Sequence, residues 1–498
     1  MKRTSNLELI FGLVAPIGVD LNKATSLLTS LLETKFEYNT HVIKLSDEIQ
    51  KFPFLRTTLV KKPQFKRINT FMNGGNEIRE KIQQNNTLAA LAIGSILRIR
   101  NQSASLGRTV FILSSLKHPD EVGLLRGVYG EGFFLFGFTN SDEKRTAFLT
   151  KELGCTDKQA TILRTRDEDE KDPFGQHTRE VFRLADAYFN MDDPDPDQKI
   201  CRILKLIFSD PFTTPLKDEY AMYLATASSL RSGDLSRQVG AVIMSEKGDI
   251  ISTGTNDVPK FGGGLYWEDD TNDKRDLVAG QDSNHEIKHE IVLKLLCGIK
   301  GKKTFTKREL QKYERVFSDA GFSGITEYGR AVHAEMEALI SCARSGVSTR
   351  GATLYSTTFP CHNCAKHIVA AGIVRVVFIE PYPKSKTMRL HDDSIVCDYV
   401  SHPESGNDEG VRFEPFVGLG PRKFIDLFSL HLSRGNELFR KNDKNGVKLP
   451  WTEKISIPRL PLKAISYIES EKLAFSNISN KIPNRRLNER KERKKRDR

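Results

Sequence analysis

The sequence predicts an α/β protein built from two layered units, and three observations support this fold class. The chain has 498 residues, more than one ordinary core needs, so two large domains or three smaller ones are expected. From residue 7 to about residue 200, apolar strand-like runs alternate with helical patterns, which is typical of a parallel sheet covered on both faces. From Lys217 onward, a helix, two adjoining strands and then alternating helices and strands predict a three-layer α/β/α sheet.

The N-terminal unit, residues 1–210, is predicted from alternating strand and helix signals. Its first strand is the apolar run LELIFGLVAP, and LNKATSLLTSLLETKF follows with apolar residues at helical spacing. The later signals are, in order, the strand HVIKLS, the helix LAALAIGSILRIR, the strand RTVFILSS, the helix HPDEVGLLRGVYG and the strand EGFFLFGFT. The Asp- and Pro-rich segment NMDDPDPDQK then marks a loop, and the domain boundary is placed near Pro211 to Lys217.

The C-terminal unit, residues 211–435, begins with a long helix that follows Pro215. The remaining signals are, in order, the paired strands QVGAVIMS and DIISTGTN, a long insertion, the helix AVHAEMEALISCARSG, the strand ATLYSTTF, the helix CHNCAKHIVAAG and the strand RVVFIEPY. Residues 436–475 are predicted as a C-terminal extension, and residues 476–498 as a basic, disordered tail.

Charge and cysteine usage narrow the function classes. The last fifteen residues hold nine Lys or Arg and three acids, which is half of the net charge of +12. Such a run is usually solvated, so a dedicated nucleic-acid arm is the less favoured interpretation. Seven scattered cysteines without a secretory signal predict a reducing, cytoplasmic setting. No run of about 18 apolar residues occurs, so neither a membrane-spanning helix nor a membrane partner is predicted.

The strongest chemical signal is a set of metal ligands in two short motifs. They are His333-Ala334-Glu335 and Pro360-Cys361-His362-Asn363-Cys364. One imidazole and two thiolates leave the fourth position of a tetrahedral Zn²⁺ open for a water, as a catalytic zinc requires. H-x-E with P-C-x-x-C is the signature of zinc nucleobase deaminases, in which the glutamate moves protons and does not bind the metal. The motifs therefore predict Zn²⁺ on His333, Cys361 and Cys364, with Glu335 as the catalytic acid and base.

Other metal interpretations compete with this one. A structural zinc needs four protein ligands, and Cys342 is the candidate fourth. The segment from His285 to His289 matches H-E-x-x-H, the metalloprotease helix pattern, but no further ligand is evident. A second, structural metal on these two histidines stays open. His362 and His367 are interpreted as a loop residue and a helix residue.

At these residues the chain resembles the cytidine and deoxycytidylate deaminase superfamily. The runs RSGDLSRQVGAVIMS, GTND, VHAE and TTFPCHNC occur in the order that this family uses. The resemblance implies that Asn256 contacts the nucleotide. It also implies that the 76 residues between Asn256 and His333 correspond to the insertion of deoxycytidylate deaminases. Candidate phosphate donors in nearby segments are Arg237, Lys260, Lys384, Lys386 and Arg389.

The whole layout resembles the bacterial antiphage dCTP deaminases, which join a P-loop NTPase-like or kinase-like domain to a cytidine deaminase-like domain. The segments IFGLVAPIGVDL, FILSSLKHPDEVGLLRGVYG, DLSRQVGAV and IEPYPKSKTMRLHDDS carry this resemblance. It implies conversion of dCTP to dUTP, and of dCMP to dUMP, with release of ammonia, and so depletion of a DNA precursor of the phage. It further implies a homo-oligomer and an inhibitory RNA or protein regulator.

The N-terminal loop from Gly12 to Asp20 is a candidate nucleotide site. It follows a strand and opens a helix, so its amides are placed to hold a phosphate. A Walker A loop needs Gly-Lys-Ser or Gly-Lys-Thr, whereas Val19 and Asp20 stand there, so NTP hydrolysis is not expected. A regulatory nucleotide site and a structural relic both stay open. The candidate residues are Gly12, Ile17, Gly18, Val19 and Asp20.

Three functions therefore compete. The first is a deaminase of free deoxycytidine nucleotides, in defence or in pyrimidine salvage. The second is a polynucleotide cytosine deaminase guided by the basic tail, and the third is a nucleotide sensor with a vestigial metal site. The metal ligands and the acid are all present, which argues against the third. The first is the favoured interpretation, the second stays its alternative, and the sequence leaves the choice between dCTP and dCMP open.

Overall fold

The structure is a computed structural model. It describes residues 8–53, 55–102, 107–301, 304–379, 386–397, 410–460 and 465–482. Within these ranges, no helix combines the length and the apolar character that crossing a bilayer requires. The cytoplasmic location stays a prediction.

The described residues up to Ile207 form five strands and nine α-helices. The strands are β1 (Glu8–Val14), β2 (Asn39–Lys44), β3 (Thr109–Ser114), β4 (Phe133–Thr139) and β5 (Ala187–Asn190). The helices are α1 (Leu21–Thr34), α2 (Leu45–Lys51), α3 (Gln64–Ile82), α4 (Thr87–Gln102), α5 (Pro119–Tyr129), α6 (Asp142–Ala147), α7 (Asp157–Glu168), α8 (Thr178–Arg183) and α9 (Pro196–Ile207).

The rest of the described chain adds seven strands and nine helices. The strands are β6 (Gly240–Met244), β7 (Ile250–Thr255), β8 (Thr353–Ser356), β9 (Arg375–Phe378), β10 (Ile395–Cys397), β11 (Val411–Pro415) and β12 (Gly418–Leu419). The helices are α10 (Lys217–Ser229), α11 (Asp276–Ala279), α12 (Ser283–Lys300), α13 (Lys307–Asp319), α14 (Ala334–Ser345), α15 (His362–Ala370), α16 (Thr387–Leu390), α17 (Phe424–Phe428) and α18 (Ile465–Ser479).

The first sheet has the order β12-β5-β4-β1-β3-β2, and its strands β1 to β5 are parallel. Alternate residues of β1 point to opposite faces. Ile10 and Val14 pack into one buried cluster, whereas Phe11 and Leu13 pack into another that contains residues of α1 and α9. Helices therefore cover both faces, as the apolar strands predict. The further assignment of this unit to the P-loop NTPases stays a prediction.

The second sheet has the order β10-β11-β9-β8-β6-β7. Strand β6 runs antiparallel to both of its neighbours, whereas β8, β9, β11 and β10 are mutually parallel. On one face α10 packs against Gly240, and on the other α14 packs against Gly254, where any side chain would clash with the helix backbone. The predicted three layers are confirmed, and with two parallel-dominated sheets the α/β fold class is confirmed as well.

The C-terminal residues return to the first unit. Strand β12 pairs antiparallel with β5, and α18 packs on α4, where Gly94 leaves room for the Phe475 ring. Glu471 of α18 is fully buried and bonds Arg100 and Tyr129 of the first unit. The predicted domain boundaries therefore cut across a packed region and stay a prediction.

The start of the predicted tail needs a correction. Disorder was expected from residue 476, but α18 continues to Ser479, because Ile478 is 2% exposed and packs into the core. Residues 483–498, which carry the basic run, lie outside the described residues.

Candidate active site and metal centre

Two helix N-termini meet at one edge of the second sheet. The chain leaves β7 into the insertion and returns beside it, where Asp257 bridges to Val332. Helix α14 starts immediately afterwards, so His333 becomes its N-cap and Glu335 lies in its first turn. Because Gly254 has no side chain, the start of α14 lies directly against β7. The hydroxyl of Ser252 donates to the carbonyl oxygen of Ala338 at 2.8 Å and holds the helix there.

The second N-terminus belongs to α15, which follows β8. Cys361 is its N-cap and Cys364 lies in its first turn, so both sulfurs face the same side. A helix N-terminus carries a partial positive charge that favours thiolates. Hydrogen bonding from Cys364 and from His333 lowers the pKa of Cys361 to about 4. The sequence therefore places both sulfur ligands at a helix N-terminus, where the Cys361 thiol readily loses its proton.

The three predicted ligand atoms converge. The Nδ1 atom of His333 lies 3.3 Å from each sulfur, and the Sγ atoms of Cys361 and Cys364 are 3.6 Å apart. Tetrahedral zinc with ordinary bond lengths needs ligand separations of roughly 3.5–3.8 Å. Among the described residues, this is the one group of three or more His, Cys, Asp or Glu close enough to hold a metal ion. The side chains fit Zn²⁺ and leave one coordination position free of protein.

The alternative metal interpretations lack comparable geometry. Cys342 is buried on α14 but is not part of the ligand group, so it does not complete a four-ligand structural site. His289 contacts Glu314 at 2.9 Å, and His285 completes no metal-binding group with it among the described residues. His367 is bonded to the carbonyl oxygen of Asn363 in its own helix.

Glu335 lies beside the ligands at the bottom of a cavity. It is 3% exposed, its Oε2 atom lies 3.4 Å from the Cys364 sulfur, and its Oε1 atom accepts from the Ser356 hydroxyl at 3.1 Å. Burial raises the pKa of this carboxyl. A raised pKa suits a group that must both take up and release a proton near neutral pH.

The cavity above Glu335 has a volume of about 230 Å³. Its floor includes His333, Glu335 and Cys361, and its wall includes the predicted residues Arg237 and Asn256. The Oδ1 atom of Asn256 accepts from the Val239 amide at 2.7 Å, and its Nδ2 atom donates to the Arg237 carbonyl at 2.9 Å. Asn256 therefore shapes the loop that carries Arg237, and its contact with a nucleotide stays a prediction.

None of the other candidate phosphate donors that the structure describes is part of this wall. Lys260 pairs with Asp270 at 2.5 Å, and neither Lys386 nor Arg389 lines the cavity. Lys384 lies outside the described residues.

The insertion supplies a wall that the sequence did not reveal. Asp276, Asn284 and Arg330 line the cavity, and the Arg330 guanidinium pairs with Asp276 at 2.9 Å. The sequence contained no motif signal for these residues, because their position depends on how the insertion folds back over the sheet.

The N-terminal loop is already occupied by the chain's own groups. The Ile17 amide donates to Asp167 at 2.8 Å, and Asp20 accepts from the amides of Asn22 and Lys23 at the start of α1. Gly18 adopts a φ of 95° and has the Arg145 backbone directly beside it. The Ile17 amide and the first amides of α1 therefore already have carboxylate partners.

The remaining two loop candidates, Gly12 and Val19, are buried and contribute to packing. Gly12 lies inside β1 and faces Leu116 and Phe133, so it is a core glycine rather than part of a loop. The Val19 side chain is 7% exposed, and its amide donates to the Pro16 carbonyl. A separate cavity of about 330 Å³ opens beside the loop, with Phe71 and Arg67 in its wall.

Comparison with known proteins identifies the family. Residues 215–380 match the family model described as the cytidine and deoxycytidylate deaminase zinc-binding region. The deoxycytidylate deaminase of Enterobacteria phage T4 is 34% identical over 173 residues, which is 34% of this chain and 81% of that protein. The probable deoxycytidylate deaminase of Drosophila melanogaster is 26% identical over 219 residues, 43% of this chain and 86% of that protein.

The chain therefore belongs to the cytidine and deoxycytidylate deaminase family. Within that family it is a zinc-type cytidine nucleotide deaminase, with Zn²⁺ as its cofactor. A crystal structure of the cyanophage S-TIM5 dCMP deaminase with dCMP and dUMP is 19% identical. It covers 41% of this chain and 100% of that one, with a TM-score of 0.23, which is too low to support an argument.

Proposed function

We propose that the protein deaminates free deoxycytidine nucleotides, converting dCMP to dUMP and dCTP to dUTP with release of ammonia. The observation that carries this proposal is the group of His333, Cys361 and Cys364 beside the buried Glu335, at the bottom of a cavity. The relatives named above are deoxycytidylate deaminases, which supports a deoxycytidine nucleotide as substrate.

The reaction adds water at C4 of cytosine and breaks the bond between C4 and the exocyclic nitrogen. His333, Cys361 and Cys364 would hold the zinc ion, which would act as a Lewis acid and make water nucleophilic at neutral pH. Glu335 takes a proton from the attacking water and passes it to the ring nitrogen N3. It then moves the second proton of that water to the amine, which leaves as ammonia.

The position of Glu335 suits both transfers. The Ser356 hydroxyl donates to one carboxylate oxygen and fixes the orientation of the side chain. Burial in the cavity floor keeps bulk water away and raises the carboxyl pKa, so the protonated form is accessible when the amine must leave.

Two guanidinium groups at the exposed rim suit a phosphate. Arg237 and Arg330 are exposed and line the cavity. Phosphate binds well to such fork-shaped donors. Lys384 is proposed as a further donor for the longer triphosphate.

A substrate panel tests the proposal. The purified protein is incubated with dCMP, dCTP, CMP, CTP and a cytosine-containing single-stranded DNA, with and without a zinc chelator, and ammonia is measured. We expect zinc-dependent turnover of the free deoxynucleotides. Turnover of the oligonucleotide alone would establish the polynucleotide deaminase instead.

A role in antiphage defence is part of the proposal, and its support is the sequence resemblance. Cells expressing the protein or its Glu335→Gln variant are infected, and their dCTP pools are measured. We expect depletion of dCTP and fewer phage only with the active protein. Equal pools in both strains would instead favour a role in pyrimidine salvage.

A regulatory nucleotide on the first unit also belongs to the proposal. The cavity beside the N-terminal loop supports it, because apolar side chains such as Phe71 and a cation such as Arg67 suit a base and a phosphate. Deoxynucleoside triphosphates should raise the unfolding temperature of the wild type more than that of Arg67→Gln. A homo-oligomer and an inhibitory RNA or protein stay predictions.

A further inference from the structure

One stretch of the insertion is strongly basic. Residues 300–315, from the end of α12 into α13, hold seven Lys or Arg and two Glu, a net charge of +5 in a chain of net charge +12. The last fifteen residues contribute +6. The rest of the chain is therefore almost neutral, and residues 300–315 stand out within the insertion.

Three of these cations line one face of α13. Arg308, Lys312 and Arg315 follow one another at helical spacing, which places them side by side over about 10 Å. All three are exposed, and the exposed Gln311 lies among them. We call these four residues the cationic face of α13. Between Arg308 and Arg315 no acid interrupts it.

The two glutamates of the segment are held by other groups. Glu309 accepts from the amide and the hydroxyl of Thr306, just before α13, at 2.8 and 2.9 Å. Glu314 contacts His289 of α12 at 2.9 Å. Within the described ranges, no carboxylate pairs with a cation of the cationic face. Unpaired cations in a row give this surface a positive potential.

The opposite face of α13 is turned inward. Leu310, Tyr313 and Phe317 are half-buried, and the Phe317 ring lies 6.0 Å from the Phe322 ring. The cationic face has no apolar side chain of its own, and the exposed Val316 stands at its edge. Lipid-bound helices insert an apolar face, and protein partners are usually held by apolar or aromatic anchors. The cationic face therefore suits a partner that is bound through charge.

A nucleic acid is such a partner, because its backbone repeats a negative charge at every nucleotide and binds Lys and Arg without base contacts. We propose that the cationic face of α13 binds the phosphodiester backbone of a nucleic acid without reading its sequence. No described residue of α13 lines the active-site cavity, so this surface is separate from the catalytic site. The inference does not depend on the proposed function.

The test measures binding at increasing concentrations of NaCl. The purified protein is titrated into a labelled RNA strand, DNA strand and DNA duplex of one mixed sequence, and fluorescence anisotropy is recorded. The variant combines Arg308→Gln, Lys312→Gln and Arg315→Gln. We expect it to bind about 10- to 100-fold more weakly at low salt, and the slope of log K against log salt to fall by about 2 to 3, since each lost phosphate contact removes about 1.

The matched control removes the same charge elsewhere. It combines Lys66→Gln, Lys158→Gln and Lys366→Gln, at exposed positions of α3, α7 and α15. The net charge and the basic tail are then the same in both triple variants, and only the position of the lost charges differs. We expect the control to bind within about twofold of the wild type. Zinc content and unfolding temperature should be unchanged in both variants, because all the substituted side chains are exposed.

A conservative variant keeps the inference testable if the triple variant folds poorly. Arg308→Lys with Arg315→Lys retains the charge and should bind like the wild type. The nucleic acid bound most tightly identifies the form that docks, and each of the three would support the inference. Equal losses in the two triple variants would show that net charge or the tail is responsible and would overturn it. A wild type that binds none of them, or that binds only phosphatidylserine vesicles, would overturn it as well.

Discussion

In each sheet, loops lead from strands into helices. We call the loop from Ala15 to Asp20, before α1, the first junction, and the paired N-termini of α14 and α15 the second junction. The two junctions differ in which side chains fill them. In the first unit, α1 has Asp20 as its N-cap, and this carboxylate accepts from two amides of the helix. In the second unit, the N-caps of α14 and α15 are His333 and Cys361, and neither side chain caps its helix. Instead, the side chains of His333 and Cys361 face each other. The two helices therefore lack the stabilisation of a side-chain N-cap, and the ligand atoms lie close together.

The buried carboxylates near the two junctions show the same contrast. In the first unit, Asp167 fills the loop and is held by Lys117 at 2.7 Å, so the charges are neutralised within the chain. In the second unit, Glu335 has a hydroxyl partner, and no cation within the described ranges is bonded to it. The lesson is that a similar sequence pattern becomes a site only where the chain leaves its own polar groups incompletely paired.

The largest expected effect comes from removing a ligand of the second junction. Cys361→Ser should lose stoichiometric zinc and all measurable deamination, because a hydroxyl is a poor replacement for a thiolate on zinc. Zinc content by atomic spectroscopy and ammonia release are the measurements. Cys342→Ala, on the same helix as His333 but outside the ligand group, should retain both. Loss of zinc in Cys342→Ala would restore the four-ligand structural interpretation.

The second-largest effect is expected for Glu335→Gln, a variant that tests proton transfer separately from metal binding. Glu335→Gln should keep zinc and lower kcat by about 10²–10⁴-fold, the usual contribution of a general acid and base. Glu337→Gln is its control, because Glu337 is also buried on α14 but pairs with Arg344 and does not line the cavity. Full activity in Glu335→Gln, measured as ammonia release, would rule out the proposed proton transfer.

The sequence predicted the second junction better than the first for a physical reason. Zinc ligation needs particular atoms at fixed spacing, so the sequence alone predicted that His333, Cys361 and Cys364 would come together with Glu335 beside them. A phosphate loop uses backbone amides, whose availability depends on distant groups such as Asp167, 150 residues from Ile17. Sequence spacing cannot show that such a group is already bound there.

The fold, like the site, could be predicted from the sequence only where an element has a local signal. Buried strands such as β1 and β4 are apolar runs in the sequence, and all seven residues of each are buried. By contrast, β12 has two residues and α18 packs on a helix more than 360 residues away in the chain, so neither gives a local signal. Asn284 was missed for the same reason, since its place in the cavity wall depends on how the insertion folds and not on its neighbours in sequence.

A third prediction tests whether the first junction is structural. Asp167→Asn leaves the charge of Lys117, which is 15% exposed, without its partner, and breaking such a buried pair costs about 3 kcal/mol. We expect that loss in urea-induced unfolding, with unchanged deamination per folded molecule. Asp157→Asn, at an exposed position of the same helix, should unfold like the wild type. An Asp167→Asn protein as stable as the wild type would mean that the pair does not close the loop.

The smallest effect concerns the open rim of the second junction. Arg237 is exposed, so its contact with a phosphate is screened by water, and we expect Arg237→Gln to lower kcat/KM for dCMP by only about 10-fold. Deoxycytidine, which has no phosphate, should be turned over equally by both proteins, so the ratio of the two substrates isolates the charge contact. Lys366→Gln, an exposed cation of α15 outside the cavity wall, should leave that ratio unchanged. If Arg237→Gln slowed both substrates alike, Arg237 would serve only to support the loop that Asn256 holds, and the rim would lack its proposed phosphate donor.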